Sequence, residues 1–301
     1  GITASQVVAL TTEQIVAFST DQIQGLNSNQ LQALSEAQIQ AMQVEDLQVM
    51  SSNQIRALTT LQVASLTTAQ VLGLQTQQVA AMSVSGVASL TPQQLAVLKT
   101  DQLMALSSVQ VGALTTFQLD GLATDKLAAI EPADLKALSS NQLRALSATQ
   151  IAAFSTDQVA ALSSQQLAVL STEDVRAWRT DQIAALKWSQ MAGLTTAQLS
   201  ALKTEQIAAL QTESLKVLAS AKVAVLQTDQ LQALTTDQFK AMTPAQLAAL
   251  PANVITALQT SDVVVLSADQ IKALSTAQLT QLSDGQMAAL TTEQLLALPA
   301  D

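Results

Sequence analysis

The residues best able to do chemistry in this sequence are its 23 aspartates and glutamates, because Cys, His and Tyr do not occur. Nucleophile–base pairs and metal sites built on Cys or His are therefore excluded. Stacking could bring two carboxylates within the roughly 5–9 Å that paired-carboxylate chemistry uses, but the acids are spread singly and no pair stands out. Ser283-Asp284-Gly285 is a turn-like trio and not a calcium loop. The sequence predicts no catalytic, cofactor-binding or metal-binding residue, and we expect the protein not to be an enzyme.

Recognition of a partner is the other chemistry that side chains here could perform. Segment 176–188 holds both tryptophans and three cations, and Trp188 falls at the first position of a predicted helix, which faces outward. Exposed Trp beside cations is typical of a contact point, whereas Trp178 occupies a predicted core position. Three apolar residues stand at the second helical position, which is usually acidic; lateral packing and scattered tolerance both explain them. The candidate contact residues are Trp188, Arg179, Lys187, Leu61, Val109 and Phe117.

Charge and hydropathy narrow the range of partners. The net charge is −10 and the sequence pI is about 4.4, which disfavours nucleic acid and anionic membranes. Apolar runs end within about half a dozen residues, well short of the roughly 18 that a membrane-spanning helix needs. We expect no nucleic acid, no membrane insertion, no cofactor and no small-molecule substrate, and we expect the chain to associate with itself.

These side chains are positioned by an eight-residue repeat that runs through the whole sequence. Every eighth residue from Leu10 to Leu298 is large and apolar, and a second apolar series runs from Val7 to Leu295. Gln precedes the second series at 28 of its 37 positions, and nothing is inserted or deleted. The sequence therefore predicts one continuous repeat region over 1–301 with about 37 repeats. The pattern stops within a repeat at both ends, which is compatible with a longer chain.

The repeat favours one short helix per eight residues. Ser or Thr often follows the Leu, and Gln stands three residues later, which is the capping box of a helix start. Pro92, Pro132 and Pro244 fall one residue after the cap, where Pro is favoured. A continuous helix would turn the apolar stripe by roughly 80° per repeat, and a β-solenoid would need period-two alternation and more turn residues.

Helices of about six residues cannot stand alone, so we predict an all-α solenoid whose repeats stack. Departures from Ala before the Leu, such as Gly25, Val49 and Gly73, are separated by multiples of 24 residues. This spacing predicts roughly three repeats per turn. Replacements of Gln recur every 40 residues, which would instead correspond to two and a half repeats per turn or to a duplication unit.

The pattern resembles the tandem Leu-Thr-Thr-x-Gln repeats of very large bacterial secreted or surface proteins, often labelled adhesin-like or haem-utilisation-like. The matching runs are Leu10-Thr-Thr-Glu-Gln14, Leu66-Thr-Thr-Ala-Gln70, Leu194-Thr-Thr-Ala-Gln198 and Leu290-Thr-Thr-Glu-Gln294. The resemblance implies an extracellular or cell-surface location in bacteria. It does not support haem binding here, since His and Cys are absent.

The combined expectation is a structural protein that forms the shaft of an extracellular fibre or filament through stacked repeats. The alternative is a spacer or partner-binding stalk module within a large surface adhesin. A periplasmic or secreted chaperone is a third class, which would suppress the aggregation of an unfolding client.

Overall fold

A computed structural model describes residues 2–298 and forms only short helices there, 37 in all, with no strand. Gly1 and residues 299–301, which belong to the predicted repeat region, lie outside the described residues. The all-α prediction is confirmed. The chain forms two compact units, residues 1–154 and 155–301, and each is built in the same way.

The first unit consists of helices of four to six residues, one per repeat. They are α1 (Ala4–Val8), α2 (Thr12–Val16), α3 (Thr20–Gln24), α4 (Ser28–Ala33), α5 (Glu36–Ala41), α6 (Val44–Gln48), α7 (Ser52–Ala57), α8 (Thr60–Ser65), α9 (Thr68–Gly73), α10 (Thr76–Ala81), α11 (Val84–Ser89), α12 (Pro92–Val97), α13 (Thr100–Met104), α14 (Ser108–Gly112), α15 (Thr116–Asp120), α16 (Thr124–Ala128), α17 (Pro132–Leu135), α18 (Ser140–Arg144) and α19 (Ala148–Ala152).

The second unit continues the pattern, with one 3-10 helix, Ala252–Ala257, between α31 and α32. Its α-helices are α20 (Thr156–Ala161), α21 (Ser164–Ala168), α22 (Thr172–Ala177), α23 (Thr180–Ala184), α24 (Trp188–Met191), α25 (Thr196–Ala201), α26 (Thr204–Ala208), α27 (Thr212–Lys216), α28 (Ser220–Val223), α29 (Thr228–Gln232), α30 (Thr236–Ala241), α31 (Pro244–Ala248), α32 (Thr260–Val264), α33 (Ala268–Lys272), α34 (Thr276–Leu279), α35 (Asp284–Ala288) and α36 (Thr292–Ala297).

Two extended residues form the corner between successive helices. Before α8, Leu58 has φ −58° and ψ 134°, and the N-cap Thr59 has φ −71° and ψ 163°. The Thr59 hydroxyl accepts a hydrogen bond from the Gln62 N–H at 3.2 Å, and the Gln62 side chain accepts from the Thr59 N–H at 2.9 Å. No described residue has a positive φ. The predicted capping box therefore makes most corners, and no described corner needs a left-handed residue.

Replacing Thr59 by Ala should lower the free energy of unfolding by about 1 kcal/mol, because the cap hydroxyl is lost. Thr60→Ala is the matched control, since Thr60 begins the same helix and is also exposed. Circular dichroism during urea unfolding measures both variants. Equal stability of the two would show that the cap hydroxyl does not stabilise the helix.

The core of each unit consists of the two apolar series. Leu95 and Leu98 in the first unit and Leu167 and Leu194 in the second are fully buried. Within each unit, helices pack against the helix three repeats later, as α5 does on α8 and α22 on α25. This packing confirms roughly three repeats per turn, and a turn of the solenoid is called a coil below.

Candidate functional site

The most regular polar feature is a column of buried glutamines, one in most repeats. Gln118 is 2% exposed, and its amide makes three hydrogen bonds. Its Oε1 accepts from the Thr115 N–H at 2.7 Å, and its Nε2 donates to the carbonyls of Val87 at 3.0 Å and Leu90 at 2.7 Å. The side chain thus caps its own helix and bonds the preceding coil at the same time.

The carbonyl that receives this amide belongs to a corner leucine. A corner residue follows the last helical residue, so no N–H of that helix reaches its carbonyl. A buried carbonyl without a donor costs free energy, and the glutamine of the next coil supplies the donor. The same bond to the residue 28 positions earlier is made by Gln38, Gln54, Gln62, Gln70, Gln78, Gln94, Gln102, Gln110, Gln142, Gln150, Gln190, Gln198, Gln206, Gln230, Gln238, Gln246, Gln270, Gln278, Gln286 and Gln294.

The sequence pattern predicts these glutamines as helix caps but does not predict their bonds between coils. A signal was present, because a capping box accepts Glu as well as Gln, yet the column contains no Glu. Glu lacks the N–H donors that the corner carbonyls require. Lys does occur in the column, and it also donates: Lys126 Nζ bonds the Leu98 carbonyl at 2.6 Å, and Lys222 Nζ bonds that of Leu194 at 2.6 Å.

At two other positions of the glutamine column, Ser or Asp replaces Gln and its buried side chain makes fewer hydrogen bonds. The Ser214 side chain is buried and its hydroxyl has no hydrogen-bond partner. Asp262 is 3% exposed; its carboxylate accepts from the Gln259 N–H at 3.1 Å and from the Thr236 hydroxyl at 3.3 Å. Burial raises the pKa of Asp262 above its ordinary value, and these two bonds only partly oppose the shift.

Asp262→Gln should raise the free energy of unfolding at neutral pH by about 1 kcal/mol. The amide keeps an acceptor for Gln259 and adds a donor for the preceding coil, and the buried charge is removed. Because its pKa is raised, Asp262 of the natural chain keeps its proton up to a higher pH in the folded state than in the unfolded state. Stability is therefore greatest below the unfolded pKa of about 3.9 and falls as pH rises to the folded pKa.

The measurement is the urea midpoint as a function of pH. Asp262→Gln should abolish the decrease in stability with rising pH that Asp262 causes. Asp262→Asn also removes the charge, but its shorter side chain does not reach the preceding coil, so its stability should increase less. Asp269→Asn is the control, because Asp269 is exposed on the next helix. A variant less stable than the natural chain at neutral pH would contradict the prediction.

The residues predicted as contacts all lie on the surface. Leu61, Val109 and Phe117 are 65%, 67% and 71% exposed, and Trp188 is 62% exposed. Leu61 on α8 and Val109 on α14 belong to one column of packed helices with α11 between them, and α11 carries the exposed Val84 that the sequence analysis missed. Phe117 lies on α15, in the neighbouring column.

The cations near Trp188 take part in local structure. The Arg179 Nε lies 3.1 Å from an Asp181 carboxylate oxygen, and this guanidinium lowers the pKa of Asp181. The exposed Lys187 is the N-cap of α24 and donates its backbone N–H to Gln190 at 2.8 Å. Trp178 is 2% exposed, as predicted for a core position. A contact role for the six exposed residues stays a prediction.

Within residues 2–298, no group of three or more Asp and Glu side chains is arranged to hold a metal ion. No helix in that range has the length and apolar character needed to cross a membrane.

Comparison with known proteins identifies the repeat. A family model, the ALTTAQ repeat, matches residues 7–44, 39–76, 127–164, 159–196 and 207–244, which together cover more than half of the chain. No curated protein matches the sequence significantly. The chain is a tandem repeat protein, and it belongs to the ALTTAQ repeat family.

Proposed function

We propose that this protein is a structural scaffold that forms the shaft of an extracellular bacterial fibre. The buried glutamine column carries the proposal, because it joins each coil to the preceding one in both units by the same short bonds. A hydrogen bond that recurs at every coil favours a uniform shaft, because each added coil repeats the same contact and keeps the same cross-section.

The location outside the cell is proposed from the resemblance to repeats of large secreted and surface proteins. The repeat family itself does not specify a location.

Immunogold electron microscopy tests the location. Antibodies raised against the purified chain should label filaments outside the cells that produce it, at regular intervals along their length. Labelling confined to the cytoplasm would overturn the proposal. Antibodies absorbed with the purified chain serve as the control, because they should lose the label.

An adhesin stalk is the second candidate, and the exposed Trp188 favours it. Trp188 is 62% exposed beside the exposed Lys187. An exposed aromatic residue beside a cation is typical of a surface that binds a partner, and a purely structural shaft does not need one. In this case the gold label should lie between the cell and a terminal domain and not along a filament. Trp188→Ala should then weaken binding to host or matrix material, whereas Leu72→Ala, at an exposed apolar residue that is not a candidate contact, should not.

A further inference from the structure

Charged residues are almost absent from one part of the first unit. No charged residue occurs from Ala57 to Leu98, and within residues 57–119 only Lys99 and Asp101 are charged. The other 238 residues carry 34 charged residues. We call residues 57–119, which run from the end of α7 to the last turn of α15, the neutral band.

Exposed apolar side chains concentrate in the same band. Between α4 and α33, nine large apolar side chains are exposed, and six of these lie in the neutral band. Apolar surface of this kind, away from charge, is typical of an interaction site. The six residues are Leu61, Leu72, Val84, Met104, Val109 and Phe117.

One side of the band carries no charge at all. It is formed by α8, α11 and α14, which pack on one another in a single column. Leu61, Val84 and Val109 project from these three helices and are 65%, 42% and 67% exposed. Lys99 and Asp101 belong to α13, which lies in another column with α10. We call the side formed by α8, α11 and α14 the neutral face.

Folding does not require the apolar residues of this face. Leu61 and Val109 stand at the second position of their helices, where a carboxylate favours the positive helix end, as Asp101 and Asp157 do. Both side chains are more than half exposed, so neither belongs to the core. Contact with another molecule gives them a role that the fold of a single chain does not.

The neutral face is large enough for a stable contact. The whole chain exposes 13243 Å² over 301 residues, so the neutral band exposes about 2,800 Å² and one of its three sides about 900 Å². A stable interface buries roughly 800 Å² on each partner. One side of the band therefore suffices.

Charge indicates which partner fits this face. A basic partner would bind the acidic parts of a chain whose net charge is −10, and not a side without charge. A second copy of the chain is itself acidic, so two copies repel each other where their carboxylates meet. Pairing through the neutral faces avoids this repulsion, because each copy presents uncharged surface to the other.

We propose that two copies of this chain associate side by side through their neutral faces. The contact is isologous, since both copies contribute the same residues, and burial of Leu61, Val84 and Val109 supplies the attraction. Glu36 on α5 and Asp134 on α17 lie on the next helices of this column. Sliding by one coil would bring these carboxylates onto apolar side chains, so the contact stays three coils long. In the proposed fibre, on which this inference rests, the contact joins two shafts laterally.

Leu61→Asp with Val109→Asp tests the contact. Asp suits the second helical position, so circular dichroism and the urea midpoint should show an intact fold. Sedimentation velocity of the purified 301-residue chain over a concentration series should show a monomer–dimer equilibrium for the natural sequence. The double variant should associate about tenfold more weakly or less still, because carboxylates then oppose one another across the contact.

Ala197→Asp with Ala245→Asp is the matched control. These residues are exposed at the second helical position and are also 48 residues apart, but they lie in the second unit. The control carries the same added charge and should associate like the natural chain. Equal weakening of the two double variants would show that net charge, and not the neutral face, governs association, and would overturn the proposal.

A mixing experiment shows whether face meets face. Leu61→Lys with Val109→Lys should also fail to pair with itself, because like charges again oppose each other. Mixed in equal amounts with the double Asp variant, it should form a one-to-one dimer, since Lys then lies opposite Asp. A mixture that stays monomeric would contradict the isologous contact.

The remaining outcomes separate this contact from other occupants and from the proposed function. A natural chain that stays monomeric, including one that instead floats with neutral phosphatidylcholine vesicles, overturns the pairing. Fibres labelled by immunogold would still support the scaffold in that case. Dimers in solution without labelled fibres overturn the extracellular function and leave the lateral contact standing.

Discussion

Gln118→Leu should lower the local free energy of unfolding by about 3 kcal/mol or more. The substitution removes three hydrogen bonds and leaves the Leu90 carbonyl buried without a donor, at about 1–3 kcal/mol for each such group. Because repeat arrays can unfold in parts, native-state hydrogen exchange is the suitable measurement. Amides of α12 and α15 should exchange about 100-fold faster than in the natural chain.

Gln14→Leu is the matched control for this prediction. Gln14 has the same place in its repeat and makes the same cap with Thr11, but its side chain is exposed. Its loss should cost about 1 kcal/mol or less, as for other caps. Similar losses for the two variants would mean that the bonds between coils do not stabilise the fold.

Gly193→Ala should destabilise the second unit by about 1–3 kcal/mol, the usual cost of forcing atoms into a packed core. An added Cβ would lie 2.6 Å from the Ser164 Cβ and 2.9 Å from both the Cα and the carbonyl oxygen of Ser164. Ser164 begins α21, and α24, which ends just before Gly193, packs on that helix. The backbone of α21 would have to move, and thermal unfolding of the variant measures the cost.

Gly25→Ala should have the opposite sign. A Cβ at Gly25 would meet only the carbonyl oxygens of Asp21 and Gln22, both at 3.4 Å, which is ordinary contact. The residue has φ −74° and ψ −11°, which Ala adopts without strain. Reduced freedom of the unfolded chain should then stabilise the protein by about 0.4–1 kcal/mol. Destabilisation by both changes would refute the close approach at Gly193 as the cause.

The two glycines show why a repeat position does not by itself define a contact. Both precede a corner leucine, and their separation by a multiple of 24 residues correctly indicated three repeats per turn. Whether a methyl group fits depends on the residue 29 positions earlier, as with Ser164 beneath Gly193 and Pro92 beside Gly121. The twist between stacked helices sets this 29-residue offset. It cannot be predicted from the residues that neighbour each glycine in the sequence.

The sequence alone determined the helices, their caps and the buried series, because a capping box acts over three residues and burial follows an eight-residue period. Thr59, Gln62 and Leu58 could be placed from their neighbours in the chain. Only the tertiary structure decided which carbonyl accepts the hydrogen bond from each glutamine NH₂ group. The acceptor of the Gln118 amide is the carbonyl of a residue 28 positions earlier, across a packed interface. That distance follows from the rotation of one coil on the next, which many weak apolar contacts fix together.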